Sequence, residues 1–190
     1  RDVLGSRGLG DVYKRQAQSS DVISLASSLG IHFGFVRNDF DWREDERVLL
    51  TTNHVCAVAA QPFKLEDLPH MVRVDYDTDQ YYQNLLDGWW HETFEDSPII
   101  GTRVSNLDLC KEMVFNGLGY GILPSILIEE YPQLYSIPLV HKNGSKLERK
   151  TWLIYKKELL DLRLPKVFLE FVIDSDFDLS LIHISEPTRP

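Results

Sequence analysis

The stretch VSNLDLCKEMVFNGLGYGILPSILIEE, residues 104–130, carries the signals on which the fold is decided. Ser105 and Asp108 stand three apart just before an apolar series, the spacing of a capping box, in which two side chains satisfy unpaired N–H groups of a helix's first turn. Leu107, Cys110, Met113 and Val114 follow at helical spacing, and Gly117 closes the helix. GYGILP at 119–124 then reads as a short buried strand stopped by Pro124, and SILIEEY at 125–131 as renewed helix.

The same alternation extends to both sides. Upstream, IIGTRV at 99–104 is a strand, and Asp79 to Phe94 is a helix with apolar Tyr81, Tyr82, Leu85, Leu86, Trp89, Trp90 and Phe94, a stripe wider than one packing face. MVRVDY at 71–76 and ERVLLTTNHVCAVAA at 46–60 are β-prone, with LEDLP at 65–69 as a helical turn between them. Val22, Leu25, Ala26 and Leu29 form a short amphipathic helix with Ser20 as N-cap and Gly30 just past its end. IHFGFV at 31–36 follows as a buried strand that runs into the polar Arg37-Asn38-Asp39. Downstream, LERKTWLIYKK at 147–157 is a strand and PKVFLEFVI at 165–173 an amphipathic helix. Strands alternating with helices predict an α/β fold, with parallel-rich sheets covered by helices on both faces.

Composition narrows the function. The 190 residues are 43% hydrophobic and 26% charged, ordinary for a globular protein. No window reaches the roughly eighteen apolar residues of a membrane span, and no signal peptide opens the chain, so the expected location is the cytoplasm, away from membrane. The net charge of −9 argues against this segment gripping nucleic acid. Cys56 and Cys110 lie among apolar neighbours and are expected to be buried reduced thiols. The six histidines have no zinc-ligand spacing, so neither a metal nor a cofactor is expected. Residues 1–16 and 178–190 lack any helical or strand period and resemble translated adapter sequence, which places them outside the native fold. Asp41, Glu44, Asp45 and Glu46 read as a solvated acidic loop.

The 104–130 run, together with WLIYKK, PKVFLEFV, SSDVISLASSLGIHFGFVR and FKLEDLPHM, resembles the C-terminal half of LysR-type transcriptional regulators over roughly Ala17 to Asp176. His32 departs from the Asp common there. The resemblance implies a two-lobed fold like that of type II periplasmic binding proteins, with one lobe from 17–58 and 151–177 and the other from 59–150. It also implies that this is an N-terminally truncated piece: the DNA-binding domain, linker helix and first strand–helix unit would lie elsewhere, and DNA would be contacted only through that missing part. A free-standing solute-binding protein and an enzyme on the same scaffold are the competing readings. Against the enzyme, there is no Gly-x-Ser-x-Gly elbow, His-Glu-x-x-His or phosphate loop.

Ligands of such sheets sit beyond the carboxyl ends of strands, where unpaired N–H groups of helix N-termini favour anions. Three junctions qualify: Ser19-Ser20, Tyr76-Asp77-Thr78 and Ser105-Asn106. The same residues also suit ordinary helix caps. The resemblance favours Ser20 and Thr78 as effector contacts, and Arg37, Asn38 and Tyr120 complete the candidate set for a small anionic effector. Tyr82, Leu86, Trp89 and Trp90 are the expected interface of a homo-oligomer, since sensing domains of that family pair side by side, with burial under a neighbouring loop as the alternative.

Overall fold

The structure is a computed structural model that describes residues 19–28, 31–37, 46–129 and 131–175. Helix α1 (Ser19–Ser27) leads to strand β1 (Phe33–Arg37), and β2 (Glu46–Ala59) follows. Next come β3 (Val72–Tyr76), α2 (Gln80–Thr93), β4 (Ile99–Val104), α3 (Leu107–Phe115) and β5 (Tyr120–Pro124). The described chain continues with β6 (Tyr135–Pro138) and β7 (Glu148–Tyr155) and closes on α4 (Arg163–Asp174). The acidic run 41–45 and the expected C-terminal glycine of α1, Gly30, lie outside the described residues.

The fourteen-residue β2 organises everything else. Its first part, Glu46 to His54, runs antiparallel to β7, which in turn pairs antiparallel with β1. From Val55 to Ala59 the strand changes partners and lies between β5 and β6. Burial changes at the same point: the first nine residues are half-buried or exposed, whereas Val55 to Ala59 are all buried. One strand therefore serves two sheets, with the join between His54 and Val55. Three apolar clusters follow this division, one around Val55–Ala59 with α2 and α3, and two on the β1–β7 side with α1 and α4.

The expected parallel pairing occurs where β3 lies between β4 and β5. All pairs of β1, β7 and β2 are antiparallel among the described residues. Three further differences have local causes. Asn106, not Ser105, caps α3, its Oδ1 accepting from Leu109 N at 2.9 Å, so the capping box from Ser105 to Asp108 is not used. Residues 125–131 make only a 3-10 turn at Ser125–Leu127, followed by tight turns in which Tyr131 N donates to Ile128 O and Leu134 N to Tyr131 O. Strand β6 has no counterpart in the sequence reading; three of its four residues, Tyr135, Ser136 and Pro138, are exposed and only Ile137 is half-buried, too short a run to show a strand period. Gly117 closes α3 as expected: its φ of +76° permits Gly117 N to reach Val114 O while Leu118 N reaches Met113 O.

The expected oligomer interface on α2 is core instead. Tyr82, Leu86, Trp89 and Trp90 are each at most 2% exposed within the single chain. The surplus width of the stripe is covered by the chain's own loops. Trp89 Nε1 donates to Val140 O at 2.9 Å, and Trp90 Nε1 donates to Asp96 O at 2.7 Å. Phe94 packs edge-on to Trp89 at 5.9 Å. The hairpin carrying Val140 is tied down by Glu92, which accepts from Lys142 N at 2.8 Å and meets His141 Nδ1 at 2.7 Å. A side chain already sealed inside its own fold offers a partner no surface.

Candidate functional site

Strand registers locate the junction where ligand-binding groups can meet. β3 and β4 are parallel with Tyr76 opposite Val104, so their carboxyl ends coincide and carry Thr78 and Ser105 just beyond. β5 ends at Pro124 opposite Val55, at the join in β2. From the other sheet, β1 ends at Arg37 opposite Thr151, and Thr151 pairs with Thr51 three residues before His54. The carboxyl ends of β1, β3, β4 and β5 are therefore all directed at the stretch where β2 passes from one sheet to the other.

Around this point the candidate residues have different roles. Ser19 Oγ accepts from Arg37 N at 3.2 Å, fastening the start of α1 to the end of β1. Ser20 is exposed in the first turn of α1, and Arg37 is half-buried. Asn38 lies outside the described residues. Asp77 is exposed and its N–H donates to Val104 O at 2.9 Å. Helix α2 is capped by Asp79, whose Oδ1 accepts from Tyr82 N at 2.8 Å. Capping thus falls to Asp79 and leaves the neighbouring Thr78 hydroxyl uncommitted: Oγ1 is buried with no hydrogen-bond partner. Asn106 is spent as the cap of α3, and Ser105 is exposed beside it.

Tyr120 is the candidate that the fold places elsewhere. It is fully buried and pairs with Arg73 at the amino end of β3. Four residue steps along β5 separate it from Pro124, roughly 13 Å at strand spacing. There it belongs to a polar cluster inside the β3–β5 lobe, in which buried Asp75 bridges Arg73 at 3.2 Å and Arg103 at 2.7 Å. Burial raises the Tyr120 hydroxyl's pKa above its ordinary value, against the pull of Arg73. The pairing with Asp75 raises that of Arg103. Nearby Cys110 donates to Val74 O at 3.3 Å, and burial pushes its thiol up to about 12. Burial also raises Cys56, so at both positions the nucleophilic thiolate is disfavoured. Neither forms a disulfide.

At the junction itself the sequence reading missed one residue. Arg149, 5% exposed, pairs with Asn53 one residue short of the join and lays its guanidinium over the Tyr82 ring, 4.8 Å from the centroid. Tyr76 and Tyr82 are both buried beside it, and burial raises both phenols, an effect that the guanidinium opposes. The two phenols lie close enough to act on each other's titration, yet neither closes a well-directed hydrogen bond. Arg37 also acts on Tyr82, so the end of β1 and the start of α2 are within electrostatic reach across the junction. No group of three or more potential metal ligands occurs among the described residues.

Two sheets sharing a crossover strand, with strand ends and helix starts converging at the crossing, define a two-lobed α/β receptor domain. Residues 12–176 match the LysR substrate binding domain, and the chain belongs to that family. It is 33% identical over 154 residues to the uncharacterized HTH-type transcriptional regulator YraN of Bacillus subtilis, covering 81% of this chain and 53% of YraN. YkuM of the same organism, also an uncharacterized HTH-type transcriptional regulator, is 27% identical over 82% of this chain and 54% of its own. The chain thus spans about half the length of the curated relatives it matches. The apo regulatory domain of HypT from Salmonella typhimurium superposes with a TM-score of 0.70 at 15% identity, over 88% of this chain and 83% of that one. The C-terminal domain of a probable LysR family regulator from Rhodococcus sp. RHA1 gives 0.66 at 19% identity, over 85% and 83%. The family is one of transcriptional regulators and not an enzyme family. No helix among the described residues is long and apolar enough to cross a membrane.

Proposed function

We propose that this chain is the effector-sensing part of a cytoplasmic DNA-binding regulator, that it has no enzymatic activity of its own, and that a small anionic metabolite binds where the two lobes meet. The lobes are assigned as 17–58 with 151–177, and 59–150. The observation that carries the reading is the convergence of the ends of β1, β3 and β4 on the crossover in β2, with the Thr78 hydroxyl buried and uncommitted just past the end of β3. Ser20, Arg37, Thr78 and Ser105 are the proposed contacts. DNA binding is assigned to another part of the parent protein, because this chain carries a net charge of −9. Assembly of the parent as a homo-oligomer then uses a surface other than the sealed stripe of α2.

Calorimetric screening of organic acids against the 190-residue chain tests the site. A ligand should be found whose affinity falls about tenfold in Thr78→Val, since losing one hydrogen bond in a buried site is worth about 1–1.5 kcal/mol. A ligand that binds both forms equally would refute the proposed site.

A further inference from the structure

Arg149 combines deep burial with an unused hydrogen-bonding edge. Its Nε and Nη2 are buried and have no partner among the described residues. These are the two nitrogens whose N–H bonds point the same way along one side of the guanidinium, so what stands unpaired is a complete two-pronged donor. The contact with Tyr82 sets Cζ over the ring and gives neither of these nitrogens a hydrogen-bond partner. Nor does a carboxylate of the described residues neutralise it: the buried acid among them, Asp75, is already committed to Arg73 and Arg103. A buried cation without a counter-charge is strongly unfavourable, and a fold that retains one has a use for it.

The groups beside it point the same way. Oγ1 of Thr78 is also buried without a hydrogen-bond partner, and the Tyr76 and Tyr82 hydroxyls are buried within reach of each other without closing a well-directed hydrogen bond. They come from the end of β3 and the start of α2, while Arg149 comes from β7 beside the join in β2. Water could satisfy the hydroxyls, but it would leave the charge uncompensated. A planar two-oxygen anion satisfies both, because its oxygens match the spacing of the guanidinium edge.

We infer that Arg149 anchors the carboxylate of an organic acid, its Nε–H and Nη2–H each donating to one oxygen while the Tyr76, Tyr82 and Thr78 hydroxyls donate to the same ligand. This rests on the reading of the junction as the effector site and names the residue and chemical group that govern it. A fork of this geometry favours carboxylates over spherical anions of equal charge.

The test uses the full chain with sodium formate, acetate and benzoate against sodium chloride at matched ionic strength, followed by thermal unfolding and calorimetry. At least one carboxylate should raise the unfolding midpoint above its value in chloride. Arg149→Met should abolish that response and, by removing an unpaired buried charge, unfold in chloride at or above the wild-type midpoint. Arg149→Lys, which keeps the charge and loses the fork, should weaken carboxylate binding at least tenfold. If Arg149→Met unfolds well below wild type and wild type responds to carboxylates no more than to chloride, Arg149 is structural and the inference is wrong. If carboxylates bind wild type and Arg149→Lys equally, the inference fails while the effector-site reading stands. If wild type instead binds only an uncharged ligand, in a manner that Thr78→Val weakens, the inference again fails alone.

Discussion

Replacing Trp89 by alanine distinguishes a core residue from an interface residue, and the structure sets the size of the effect. The indole is 1% exposed and its Nε1 donates to Val140 O at 2.9 Å. Truncating a buried tryptophan costs about 3–5 kcal/mol in lost burial and cavity formation. The stranded Val140 carbonyl adds about 1 kcal/mol. A loss of about 4–6 kcal/mol is a large share of the roughly 5–15 kcal/mol that stabilises a domain. At about 2–4 °C per kcal/mol for a chain of this size, the midpoint should fall by at least about 8 °C. Urea titration followed by tryptophan fluorescence and circular dichroism measures the loss, and sedimentation measures the assembly at low urea. The expected result is a shifted transition with no change in the size of the native species. A loss under about 1 kcal/mol, accompanied by smaller assemblies with an unchanged spectrum, would refute the burial argument and restore α2 as an interface.

Two further substitutions test local parts of the fold. Asp79→Ala removes the oxygen that accepts from Tyr82 N and should destabilise the chain by about 1 kcal/mol in urea titration, whereas Asp79→Asn should retain most of it. Glu92 is held below its ordinary value of 4.5 by His141 first and by the Lys142 N–H second. A lowered folded-state pKa contributes stability that is present above the unfolded value and is lost as pH falls through the folded one. Glu92→Gln should therefore flatten the decline of the urea midpoint below about pH 4.5 while being slightly less stable near neutrality; parallel wild-type and variant curves would rule out the Glu92–His141 contact.

Local signals carried most of the fold. The apolar series of α1, α2 and α3, the buried runs of β2, β3 and β5, and the Gly117 helix end are all legible because each depends on neighbours a few residues away. Strand partners are not local. Whether β7 runs parallel or antiparallel to β2 depends on how the chain returns from the hairpin at Val140, which no spacing within either strand records. The α2 stripe shows the same limit from the other side. Its width was readable, but what covers it arrives from residues 139–147, some fifty positions away.

The site divides along that line too. Thr78 stands out as a candidate in the sequence because it sits between a strand and a helix start, and the structure adds that Asp79 takes over the capping and frees the Thr78 hydroxyl. Tyr120 lies at the end of β5 away from the crossover, and a glycine-flanked aromatic says nothing about which end of its strand faces it; pairing with Arg73 decides that. Arg149 was invisible for a stronger reason. In sequence it is one of several basic residues in KLERKTW, 146–152, indistinguishable from a solvated strand end. Its character comes from pairing with Asn53 at the join of two sheets and from the Tyr82 ring that closes over it. Burial there removes the solvent that would otherwise compensate the charge, so the same arginine that would be ordinary on a surface becomes, at this one register position, a buried cation with two unpaired donors.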